Sequence, residues 1–393
     1  MRILVVPDKF KGSLSAREVA ENIATSLREV LPKAGIELVP MADGGEGTAE
    51  VICEALGGEW VTCPARDPLG RAIEARYVWV DERKLTVMEM SEAAGMRCLR
   101  ESERDPLRAS TFGVGEMLLD AMNRGAHEIM VGLGGSATND GGLGMARALG
   151  FRFFGDDEHE LFNGPIELVR LARIVPPPGV AAMPAANSMG KQPVRLSLQL
   201  PDIIAAVDVR NPLLGNRGAT RVFASQKGAT PEQIELLERA LTKLADTVAR
   251  DLGCDFRDEQ GAGAAGGLGF GLLSFCGAQI QSGFDVVAES SSLESKMKDA
   301  DVVITGEGSL DRQTLEGKTP AGVARMARKL GKRIFAIVGR ASENQETSEL
   351  FDGVQVLTRP GVSEQESIAR APELLRKEAR KLAKALRETP DAR

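Results

Sequence analysis

Ala300-Asp301-Val302-Val303-Ile304-Thr305-Gly306-Glu307 decides the fold. Four β-branched residues stand between an acid and a glycine, as in a buried strand of a parallel sheet. The pattern then predicts an acidic loop (Gly306 to Lys318), a helix from Pro320 to Leu330, and strands over Arg333–Val338 and Val354–Leu357. Ser363-x-x-Glu366 caps a terminal helical region. The same alternation opens the chain: a strand over Arg2–Pro7, a capping box at Ser15-x-x-Glu18 starting a helix to about Leu31, a strand over Ile36–Pro40, and a helix over Thr48–Leu56. Between the ends the rhythm changes. Trp60–Cys63, Ile73–Val80 and Leu85–Met90 follow one another as strands without helices, an antiparallel texture. The expected class is α/β. Residues 1–75 and 285–393 form a discontinuous Rossmann-like parallel-sheet domain, and 76–284 form a second α/β domain inserted into it. The segment Pro176 to Pro193 is expected to be the least ordered.

A chain of 393 residues exceeds one ordinary core, in keeping with two domains. The net charge of −7 argues against a duplex-DNA binder. The basic stretch Arg376 to Arg387 reads as the solvated face of a last helix. Arg2–Pro7 is too short and wrongly flanked for a signal peptide, and no apolar run approaches a bilayer span. Cys53, Cys63, Cys98, Cys254 and Cys276 are odd in number and lack CxxC spacing, which suits reduced thiols. A cytoplasmic protein without membrane or nucleic-acid partners is expected, and its oligomeric state stays open. His127 and His159 lie apart without metal-ligand spacing, which nearly removes zinc and Ser-His chemistry.

Two phosphate-binding motifs fail on inspection. Gly317-Lys318-Thr319 resembles the end of a Walker A loop, but the glycine required five positions earlier is Arg312. A helix entry is the simpler reading, with Lys318 still able to meet a phosphate. Gly261-Ala262-Gly263-Ala264-Ala265-Gly266 satisfies GxGxxG, yet the polar Cys254–Gln260 before it is no strand. Close packing of small residues around a turn explains it better.

Three loops survive. Asp8-Lys9-Phe10-Lys11-Gly12-Ser13 follows the first strand and offers cations at a helix entry. Capping by Ser13 or Ser15 leaves Lys11 unexplained. Gly132-Leu133-Gly134-Gly135-Ser136-Ala137-Thr138-Asn139-Asp140-Gly141-Gly142 offers bare N–H groups and hydroxyls to an anion, more than a turn alone requires. Asp43, Glu46, Glu307 and Asp311 gather acids at strand ends, where ligands of parallel sheets bind. Hard oxygen ligands suit Mg²⁺ with bound phosphates, although any one of these acids could be a solvated loop residue.

PDKFKGSLSA (Pro7–Ala16), MADGGEGT (Met41–Thr48), GLGGSATNDGG (Gly132–Gly142), DVRNPLLG (Asp208–Gly215), QKGA (Gln226–Ala229), GAGAAGGLGFG (Gly261–Gly271) and VITGEGSLDRQTLEGKTP (Val303–Pro320) together resemble the bacterial glycerate kinase family. The resemblance runs in order over nearly the whole chain. It implies ATP-dependent phosphorylation of D-glycerate, often to 2-phosphoglycerate, while other members are described as 3-kinases. It also implies two α/β domains, one inserted in the other. The segment from about Phe162 to Pro201 looks longer than the family's usual link and leaves the motifs untouched.

On this reading the cofactors are ATP and Mg²⁺, with Asp43, Glu307 and Asp311 as metal ligands. Gly134, Gly135, Ser136 and Thr138 cradle phosphate, with Lys318 beside them. Lys11 neutralises the transferred group. Asp208 orients the attacking hydroxyl, and Arg210 and Asn211 hold the substrate carboxylate. A kinase for another small hydroxy acid is one alternative. A non-catalytic sugar-acid-binding protein, which would bind without ATP turnover, is another.

Overall fold

Ile3, Leu4, Val5 and Val6 are essentially inaccessible, and strand β1 (Arg2–Pro7), which holds them, has a parallel neighbour on each side. The computed structural model describes residues 1–162, 164–178, 200–310, 318–341, 349–358 and 364–388. After β1 the helix Ala16–Val30 starts at the expected capping box, with the Ser15 hydroxyl and the Glu18 carboxylate each accepting the other's backbone N–H. Its apolar stripe (Val19, Ala20, Ile23, Leu27) packs on Ile3 and Val5 and on the last helix, Ala371–Glu388. Burying each of these larger aliphatic side chains contributes about 1.5–3 kcal/mol. β2 (Gly35–Leu38) then lies beside β1, and the helix Thr48–Leu56 follows.

The middle of the chain makes β3 (Glu59–Arg66), β4 (Ala72–Val80), β5 (Leu85–Glu89), β6 (Glu128–Gly132), a small antiparallel pair β7 (Arg152–Gly155) and β8 (Leu171–Val175), then β9 (Asp202–Val207) and β10 (Gln279–Ser282). Six of these form one sheet in the order β10-β9-β6-β5-β4-β3. β3, β4 and β5 are antiparallel, as their consecutive runs predict, and β5, β6 and β9 are parallel. The chain returns as β11 (Val302–Leu310), the helix Thr319–Lys329, β12 (Arg333–Ala341) and β13 (Gly353–Val356). These complete an all-parallel sheet, β13-β12-β11-β1-β2. The fold is α/β with parallel sheets.

Two units divide the chain: Met1–Asp43 with Ser282–Arg393, and Gly44–Gln281. The first boundary therefore falls at Asp43 and not near residue 75. The reason is pairing: β3 hydrogen-bonds along its length to β4, and Thr48–Leu56 packs on β4 and β5, so both stay with the middle sheet. A second correction concerns β11, which runs on to Leu310 and so puts Glu307 within a strand, opposite Val338. The Pro176–Pro193 expectation falls mostly outside the described residues, as does Ser363. No helix among the described residues is long and apolar enough to cross a membrane.

Candidate active site

In the first unit the chain leaves β1 for β2 on one side and reaches β12 and β13 from β11 on the other. The C-terminal ends of β1 and β11 thus meet where strand order reverses, the usual ligand crevice of such sheets. Asp8 sits there, its N–H bonded to the Gly306 carbonyl at 2.8 Å. After β2 the chain keeps alongside β1, Val39 N–H donating to Val5 O and Met41 N–H to Pro7 O (both 2.9 Å), which delivers Asp43 to the same edge. A tight turn from Phe10 to Leu14, with Gly12 at φ +77°, exposes Lys11. Lys318 holds the extended residue before Thr319–Lys329. Asp8, Lys11, Asp43, Glu307 and Lys318 all line one cavity of about 630 Å³. Of the acids named from sequence, Asp311 lies outside the described residues.

Asp8 received no role from the sequence, although its place directly after β1 was a usable signal. It is 5 % exposed; Oδ2 accepts from Thr319 Oγ1 at 2.8 Å and Oδ1 from Lys9 N–H at 2.6 Å. Burial, and then the charge of Asp43, push its carboxyl up to about 7, against the opposing pull of Lys9 and these hydrogen bonds. Glu307, also buried, lines the same cavity. Added positive charge would relieve this set of acids.

In the second unit the loop after β6 is clamped to the segment after β5: Met96 N–H donates to Gly135 O (2.8 Å) and Ala137 N–H to Ala94 O (2.9 Å). Gly134 presses on the chain at Gly45, where a Cβ would lie 2.5 Å from the Gly45 Cα, and Gly135 turns at φ +69°. The consecutive N–H groups of Gly134, Gly135 and Ser136 meet no acceptor among the described residues. Gly135 is exposed, Gly134 half-buried and Ser136 buried, and successive donors of this kind are candidates to hold an anion. Thr138 is wholly buried, and its Oγ1 meets no partner among the described residues.

Beneath the loop lies a residue that sequence reasoning missed. Lys227, 2 % exposed, donates from Nζ to Ser136 Oγ (2.8 Å) and to Thr138 O (2.7 Å). Burial pushes its ammonium down to about 7, partly opposed by the Asp140 carboxylate. Because this lies below the ordinary 10.5, the charged form costs the folded state most below pH 7, and the cost fades as pH rises toward 10.5. Wild type should therefore gain stability relative to Lys227→Met between pH 7 and pH 10. Parallel urea-midpoint curves for the two proteins would contradict the shift.

β9 neighbours β6, so Asp208 leaves the sheet at the same edge as the glycine loop. Asp208 is half-buried and Arg210 is exposed. Asn211 braces its own turn: its Nδ2 donates to Arg217 O (2.7 Å) and its backbone carbonyl accepts from Gly263 N–H (2.9 Å). The Gly261–Gly267 stretch packs on both loops, since a Cβ at Gly263 would lie 2.2 Å from Pro212 O and one at Gly266 2.0 Å from Thr138 O. Close packing accounts for GxGxxG, and no strand precedes it. Glu46 pairs with Arg97 at 3.5 Å, while Glu89 accepts the Gly47 and Ala49 N–H groups at the start of Thr48–Leu56.

Residues 3–387 match the model of the glycerate kinase family. The chain belongs to that family. It is 39 % identical to the glycerate kinase of Halalkalibacterium halodurans, covering 97 % of both chains. It is equally identical to the glycerate 2-kinase of Escherichia coli K12, over 88 % of this chain and 86 % of that one. A crystal structure provisionally named glycerate kinase 2, from Salmonella typhimurium LT2, superposes with a TM-score of 0.81 at 39 % identity, covering 99 % of this chain and 98 % of the other. The protein is thus an α/β enzyme with kinase activity, and the cavity acids and the glycine loop are its candidate machinery.

Proposed function

We propose that this glycerate kinase family member transfers the γ-phosphoryl group of ATP to D-glycerate and releases 2-phosphoglycerate, in the cytoplasm. The observation that carries the reading is the run of three unengaged N–H groups from Gly134 to Ser136, at the end of β6. Kinases need such donors because phosphoryl transfer asks mainly for positioning and charge stabilisation. The E. coli relative's name supports the 2-position.

No three acids, histidines or cysteines among the described residues are grouped closely enough to hold a metal by themselves, so a magnesium ion in the first unit would be held jointly with the bound phosphates. Asp8, Asp43 and Glu307 share one cavity, all are hard oxygen donors, and burial with the like charge of Asp43 pushes the Asp8 carboxyl up to about 7. Asp43 and Glu307 would hold the ion, with Asp8 beside them. When bound, the ion supplies charge neutralisation to the phosphates. Lys11 and Lys318 bring positive charge to phosphate oxygens in the same cavity, and the Gly134–Ser136 donors orient an anion. Asp208 accepts the proton of the attacking hydroxyl, and Arg210 takes the glycerate carboxylate.

A coupled assay with ATP, Mg²⁺ and D-glycerate, with the product identified by NMR, tests the reading. No turnover, or 3-phosphoglycerate as the product, would refute the corresponding part. Activity should also require a divalent cation and survive zinc-selective chelators, since neither histidine lies in the cavity lining. Full turnover in excess EDTA would show that the acids serve another purpose.

A further inference from the structure

Lys227 lies under the glycine loop on the short turn Ser225–Lys227, far in sequence from the residues it touches. In its protonated form Lys227 donates and never accepts. Its two bonds therefore occupy a lone pair of Ser136 Oγ and the carbonyl of Thr138. The Ser136 hydroxyl proton then has no acceptor among the described residues, and neither do the three N–H groups beside it. Two further buried oxygens in the loop, Thr138 Oγ1 and Asn139 Oδ1, also lack partners among the described residues.

We infer that Lys227 is a positioning residue: it fixes the Ser136 hydroxyl as a donor, so that hydroxyl and the N–H groups of Gly134, Gly135 and Ser136 converge on one anionic oxygen set, a phosphate of the nucleotide. The inference rests on the proposed anion-binding role of this loop. It adds the reason for a buried lysine there. Its charge is poorly compensated in the free protein, and an anion arriving at the loop restores the balance. Without Lys227 the Ser136 hydroxyl could turn inward to the Thr138 carbonyl and cease to serve the ligand.

A double-mutant cycle on the full chain tests this with Lys227→Met, Ser136→Ala and the combination, measuring kcat, KM for ATP and ADP affinity. Each single change should lower kcat by about 10²-fold, as for loss of one preorganised donor. The double variant should fall no more than about threefold further, because the lysine acts through the serine. Multiplicative losses, or wild-type kinetics in a folded Lys227→Met protein, overturn the inference. If Ser136→Ala alone keeps wild-type turnover and ADP affinity, the hydroxyl serves no ligand and the inference fails, while the reading carried by the three N–H groups stands. No turnover or nucleotide binding by the wild type is what would sink that reading. An impaired Ser136→Ala beside an unimpaired Lys227→Met sinks only the role of Lys227. Should Lys227→Met fail to fold, wild-type protein labelled with ¹⁵N at lysine Nζ supplies the second measurement. A slowly exchanging ammonium signal should shift on saturation with ADP, and an unchanged spectrum would set the inference aside.

Discussion

Lys11→Met should lower turnover by roughly 10²–10³-fold, about 3–4 kcal/mol of transition-state stabilisation, while leaving the melting temperature nearly unchanged. The two halves of that expectation have separate causes. Lys11 is exposed on the Phe10–Leu14 turn, whose backbone bonds do not involve its side chain, and it has no ion pair among the described residues. The fold therefore loses little without it. Its ammonium nevertheless lines the cavity that also holds Asp43, Glu307 and Lys318. Charge building on a transferred phosphoryl group is what such a group would meet. KM for ATP should move much less than kcat, because uniform ground-state binding would appear in KM alone. Steady-state kinetics and a thermal melt on the same preparation decide it. Near-wild-type kcat in a folded variant would remove Lys11 from the mechanism and make Lys318 the next candidate.

Lys11 could be named from sequence because it needs only local information: a strand end, a glycine, and caps already supplied by neighbours. The same holds for the strands themselves, since Val302–Thr305 and Ile3–Val6 are apolar enough to declare burial on both faces. What escaped is what depends on distant pairing. β11 extends past Gly306 because β12 runs beside it as far as Ala341, a register that no local pattern encodes. The first domain boundary shifted because β3 pairs with β4, which sequence order alone leaves undecided. Asp8 reads as an ordinary loop acid until β11 and the Met41–Asp43 segment close around it. Lys227 is the extreme case. Lysine in a short polar turn defaults to solvent, and only the tertiary approach of Ser136 and Thr138 buries it.

Gly266→Ala should be the most damaging single-methyl change in the second unit, costing roughly 3–5 kcal/mol and about 10 °C in melting temperature. Ala265, Gly266 and Gly267 are three successive left-handed residues, at φ +53°, +69° and +87°. A left-handed conformation alone costs an ordinary residue about 1–2 kcal/mol. At Gly266 the added Cβ would also lie 2.0 Å from Thr138 O and 2.7 Å from Asn139 Cα, both backbone atoms that cannot swing aside. The carbonyl it strikes is the one bonded to Lys227 at 2.7 Å, so the clash strains the loop that carries the Gly134–Ser136 donors. Gly57→Ala is the matched control: φ is +71° there, but nothing lies within 4 Å of the added atom. It should show the conformational cost alone, about 1–2 kcal/mol. Urea melts of the two variants, with turnover measured where both remain folded, separate the effects. If Gly266→Ala proved no more destabilising than Gly57→Ala, the contact with the Thr138 carbonyl would be too soft to hold the loop. Loss of turnover at full folding in Gly266→Ala alone would instead tie that carbonyl to the placement of Ser136.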